Sequence, residues 1–158
     1  MPPTRAALVD QLVRLIDVRL LDPLEILLDG HDAVDALRTV VRVRATAWAH
    51  DMVGGDDPTA TRAAMRVVAT LYPDDGPFEP PLDWWRTPLG QTVVRRIGHP
   101  AAESVSYAVA GAMLGISRQG VHDLVTRGKL VRHEAGGVTP ASVRARLLAG
   151  DEGPARHA

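Results

Sequence analysis

Residues 104–128 read SVSYAVAGAMLGISRQGVHDLVTRG, and the spacing within this stretch decides the fold expected for the C-terminal half. Two helices that cross closely need a small residue on the first, and Gly111 supplies it. The turn between them needs a residue that tolerates a positive φ, and Gly115 follows four positions later. The second helix needs a branched apolar side chain turned inward, and Val121 comes six positions after that. Ala110, Leu114, Ile116, Leu124 and Val125 fill the other inner positions, and Ser117 is a suitable N-cap. The stretch predicts a helix-turn-helix.

Downstream, Lys129 to Val138 (KLVRHEAGGV) places two short apolar runs around Gly136-Gly137. That pattern predicts a small β-hairpin. Thr139-Pro140 then caps a last helix with Val143, Leu147 and Leu148 inward and Arg144 and Arg146 outward.

The segments AVAGAMLGISRQGVHDLVTRGKL and GGVTPASVRARL together resemble the winged helix-turn-helix of excisionase and MerR-type regulators, over about 45 of the 158 residues. The resemblance implies that the second helix enters the major groove of double-stranded DNA while the hairpin wing touches backbone or minor groove. It places Arg118, Gln119 and His122 where base edges are met, Arg pairing with guanine and Gln with adenine. Ser117 and the helix N-terminus meet a phosphate. Lys129, Arg132 and His133 become wing contacts, and Arg127 adds charge. The chain departs from the pattern at Val109, where an acidic residue is common, and at Gly120, inside the second helix. It also lacks a long C-terminal heptad helix, which argues against an effector-sensing dimer of the MerR type.

Upstream, Thr87-Pro88 starts a helix that Gly98-His99-Pro100 stops. Trp84 and Trp85 either pack against a core or stand exposed as a partner anchor. Tyr72 to Asp83 holds four Pro and a Gly and reads as a linker. Before it, four helices are expected, with starts at Thr4, Asp22-Pro23, Asp32 and Asp57-Pro58. Glu25 is placed for a capping box, and Gly30 for a left-handed C-cap.

The net charge of −1 conceals two halves of opposite sign. Residues 1–83 hold 8 Arg against 14 acids, and residues 84–158 hold 10 Arg plus Lys against 5 acids. A basic half beside an acidic one suits a polyanion-binding end joined to an end with another task. Cys is absent, which excludes disulfides and thiol chemistry. The six His fall in no metal-ligand spacing, and no phosphate-loop, dinucleotide or nucleophile-elbow motif occurs. No signal peptide or membrane span is read, so the cytoplasm and its nucleoid are the expected location.

The architecture expected is mainly α: an acidic helical domain at 1–83 ending in the Pro-rich linker, a basic winged helix-turn-helix with its small hairpin at 84–150, and a disordered tail at 151–158. The activity expected is non-enzymatic, sequence-specific DNA binding in transcriptional regulation, with no cofactor and no metal. A homodimer through the N-terminal helices, or a protein partner bound there, is expected beside it. An excisionase-like factor that bends DNA, and an antitoxin or adaptor module, are the alternatives.

Overall fold

Thr4 opens the first helix of the computed structural model, which describes residues 1–153. Its hydroxyl accepts from the Ala7 N–H at 3.1 Å, and α1 (Arg5–Ile16) follows with Leu8, Leu12 and Ile16 buried. The chain divides into two compact units, one spanning Pro3–Pro73 and the other starting at Asp74.

In the first unit, no fresh helix start forms at Asp22. A wide turn at Asp17–Leu21 carries α1 directly into α2 (Asp22–Leu28). The Asp22 and Glu25 carboxylates, expected as caps, instead accept from the Arg38 guanidinium at 2.7 Å each. Asp35 at 3.1 Å and Asp17 at 3.7 Å complete a ring of four carboxylates around it. Glu25 and then Asp22 hold the Arg38 pKa well above the ordinary arginine value. At the end of α2, Asp29 rather than Gly30 adopts the left-handed conformation, with φ 51°. The long α3 (Asp32–Gly54) packs on α1 and on α4 (Asp57–Leu71). Ala45, Ala49, Ala60 and Ala64 are all fully buried, as suits helices in close contact. Asp56 caps α4 by accepting from the Thr59 N–H at 2.9 Å.

The Pro-rich stretch is not a free linker, because from Asp74 onward it belongs to the second unit. Phe78 stands edge-on to Trp84 and Trp85, with centroids 5.2 and 6.1 Å away. Both Trp are buried in a 3-10 turn at Leu82–Arg86, so they pack rather than present an anchor. Next comes α5 (Pro88–Ile97), capped by the Thr87 hydroxyl. Gly90 is needed there, because a Cβ would collide with the Trp84 carbonyl oxygen. Three further helices complete the unit: α6 (Tyr107–Leu114), α7 (Arg118–Thr126) and α8 (Pro140–Glu152).

A buried polar network joins these elements. Arg95 on α5 pairs with Asp151 on α8 through two bonds of 2.8 and 3.1 Å. Its third nitrogen donates to the Gln91 side-chain oxygen at 2.6 Å. The Gln91 amide in turn donates to the carbonyls of Trp85 at 2.7 Å and Met113 at 2.9 Å. Arg144, expected to face outward, is half-buried and donates to the Arg95 carbonyl at 2.7 Å.

The expected β-hairpin wing is absent: among the described residues there is no strand, only isolated bridges of Val138 with Val105 and with Arg132. The two limbs of the segment do meet, His133 donating to the Gly137 carbonyl and Thr139 to the Val131 carbonyl, at 3.0 and 2.9 Å. The ladder stops there because the Val131 N–H donates to the Ser142 hydroxyl at 3.1 Å instead of to Thr139, which already caps α8. The expected disordered tail does not begin at 151, because Asp151 anchors Arg95 and α8 reaches Glu152. Residues 154–158 of that tail lie outside the described residues.

Two predictions follow from this packing. Replacing Asp151 by Ala strands the Arg95 charge in the interior and should destabilise the second unit by about 3 kcal/mol, read as a lower urea midpoint at unchanged slope. His99 accepts from the Ala101 and Ala102 N–H groups at 3.1 and 2.8 Å, and burial lowers its pKa below the ordinary 6.5. The fold therefore favours neutral His99, and the unfolded chain binds a proton first as pH falls. Its stabilisation is complete above about 6.5 and declines below that value. Melting temperatures across this range should show a decline that His99→Gln makes shallower.

Candidate nucleic-acid interface

The turn between α6 and α7 is built by two glycines. Gly115 ends α6 with φ 72° and ψ 31°, and its N–H donates to the Gly111 carbonyl. The Ile116 N–H donates to the same carbonyl at 2.9 Å. A Cβ on Gly111 would lie 2.7 Å from the Ile116 carbonyl oxygen, so only glycine lets the chain turn back this tightly. Ser106 caps α6 and Ser117 caps α7, each hydroxyl accepting from the N–H three residues on, at 3.2 and 3.0 Å.

α6 rests on the Leu82–Arg86 turn and on α8, and α7 packs on α6. Of α7's side chains, Val121 alone is buried, while Leu124 and Val125 are half-buried. The remaining surface, including the first turn with Arg118 and Gln119, faces solvent. Gly120 lies against the Ile116 side chain, so its place is internal contact rather than close approach of an outside molecule. Ile116, expected inside, is 36% exposed.

The eight expected contact residues divide into groups. Arg118, Arg127, Lys129 and Arg132 are exposed, and none makes an ion pair or side-chain hydrogen bond with a described residue. Gln119 is exposed but donates to the Asp123 carboxylate one turn later, at 3.1 Å. His122 is exposed, with its ring centroid 6.4 Å from that of Tyr107. Ser117 has its hydroxyl committed to the cap. His133 is half-buried, and its Nδ1 accepts from the Ala135 N–H at 3.0 Å, which makes it a loop-shaping residue. Ser104 further secures this loop by donating to the Gly136 carbonyl.

Electrostatically the stretch is cationic, since residues 104–148 hold six Arg plus Lys against Asp123 and Glu134. The free N–H groups at the start of α7 add the positive end of a helix dipole beside Arg118. Such a surface can hold an anion and offer hydrogen-bond donors above it. Two features escaped the reading of the sequence. Asp123 restrains Gln119, a pairing that the four-residue spacing signals. Tyr107 stands beside His122, a contact between two helices that no local spacing announces. Among the described residues, no group of three His, Asp or Glu could hold a metal ion, and no helix is long and apolar enough to cross a membrane.

Ser117→Ala removes the α7 cap and should cost about 1 kcal/mol of stability, measured by thermal unfolding. No protein-family model, curated protein or solved structure matches this chain.

Proposed function

We propose that this protein is a non-enzymatic, sequence-specific binder of double-stranded DNA that regulates transcription as a homodimer in the nucleoid. The observation that carries this reading is the exposed first turn of α7, held by a tight glycine turn and carrying Arg118, which pairs with no described residue. A helix presented in this way fits the major groove, which is wide enough to admit it. Arg118 would read guanine, and Gln119 would read adenine on release from Asp123. The Ser117 end of α7 would seat a phosphate. Arg127, Lys129 and Arg132 would neutralise further phosphates, from the end of α7 and a compact loop rather than from a hairpin. A single such unit covers half a site, which favours a paired arrangement.

Selection from a randomised DNA pool tests the reading. The wild-type protein should enrich one motif, and a double variant with Arg118→Ala and Gln119→Ala should lose it, with affinity for that motif falling about 10- to 100-fold. Lys129→Ala should weaken binding to all sequences alike and reduce the salt slope by about one. No enrichment, with equally weak binding by both proteins, would overturn the proposal in favour of a protein-interaction module.

A further inference from the structure

The first unit leaves an apolar tip and an apolar groove uncovered, and the two are complementary. Only Leu24 of α2's aliphatic side chains packs toward the core, half-buried; Ile26 is 80% exposed, Leu27 79% and Leu28 56%. The cause lies in how α2 is held. Arg38 grips its acidic residues, Asp22 and Glu25, and the aliphatic end is left projecting into water. Three consecutive large aliphatics in solvent are a contact surface in search of cover. The tip continues into exposed Asp29 and Asp32.

The groove lies among the end of α1, the Asp17–Leu21 turn, α3 and α4, and has a volume of about 410 Å³. Leu37, Val41, Trp48 and Val67 supply its apolar lining. Arg62 and Arg66 also line it; Arg62 interacts electrostatically with Asp56 at the start of α4, and neither forms a close ion pair with a described residue. Asp51 lines it too, which leaves its lining charge at +1. No α2 residue of the same chain contributes to it. An apolar groove with a positive lining matches an aliphatic tip flanked by carboxylates.

We propose that the groove receives the Ile26–Asp29 tip of a second copy, so that two chains exchange tips about a two-fold axis. This specifies the dimer of the reading above, on which it rests, but it involves no residue of α6 or α7. A two-fold pair uses each tip and each groove once, and is therefore closed. Counted over both halves, the contact buries on the order of 1,000 Å², the lower bound for a specific interface. A dissociation constant in the micromolar range is expected.

The test is sedimentation of the full chain without DNA, across micromolar concentrations. The wild type should form dimers. Leu27→Asp on the tip and Leu37→Asp in the groove should each weaken association by about tenfold or more. Both positions are exposed, so helix content and melting temperature should stay at wild-type values. Mixing the two variants should restore association in part, because each supplies the half that the other lacks. A wild type that stays monomeric, a dimer indifferent to both substitutions, or variants that fail to pair on mixing would each overturn the proposal. Since no DNA is present, failure of the DNA-binding reading would leave these outcomes unchanged, and DNA selection with the wild type decides that reading separately.

Discussion

The second unit depends on one buried cation. Arg95 is 7% exposed, and a guanidinium so placed must have its hydrogen bonds met inside the protein or incur a large desolvation cost. Asp151 meets two of them from α8, and Gln91 meets a third from the preceding turn of α5. Gln91 is oriented by that bond, so its amide nitrogen points at the carbonyls of Trp85 and Met113. Met113 lies in the last turn of α6, where helix carbonyls lack partners of their own. The charge on α5 is thus tied, through Gln91, to the last turn of α6, just ahead of the glycine turn and α7.

This chain of contacts ties the candidate interface to the interior. Fully buried Val121 is the main anchor of α7, whose outward surface is free of internal pairing at Arg118. A helix held so lightly takes its direction from α6 and from the turn. The loop at 129–138 has a similar dependence, since Val138 is bonded to Val105, just ahead of α6. Positioning of the cationic side chains comes from packed elements on either side rather than from a sheet.

The first unit is governed by charge in a different way. Arg38 gathers Asp17, Asp22, Glu25 and Asp35 from three consecutive helical segments. A guanidinium on the surface seats α2 by its acidic side and turns the aliphatic residues outward. The same ion network that stabilises the fold thereby leaves apolar surface uncovered, and an apolar groove with basic lining is present in the same unit.

How much of this was legible in the sequence depends on the range of the interaction. Helix caps at Thr4, Thr87, Ser117 and Thr139 act over three residues, and the residues themselves announce them. The crossing at Gly111 and the turn at Gly115 are equally local, so the order and spacing of α6 and α7 could be read directly. Other features were settled by contacts across many positions. Asp22 and Glu25 look like caps until Arg38, at 16 and 13 positions' distance, claims them. Residues 129–138 look like a hairpin until the Ser142 hydroxyl, 11 positions on, takes the Val131 N–H. Arg144 looks like a surface charge until the Arg95 carbonyl draws it in. In each case a polar group had two possible partners, and only the folded chain brings the distant one within bonding distance. The sequence by itself determined most of the helices, the caps at Thr4, Thr87, Ser117 and Thr139, and the glycine turn, because those rest on local backbone geometry. The tertiary structure decided which charges are spent internally and which remain free, because hydrogen-bond partners are chosen by proximity in space.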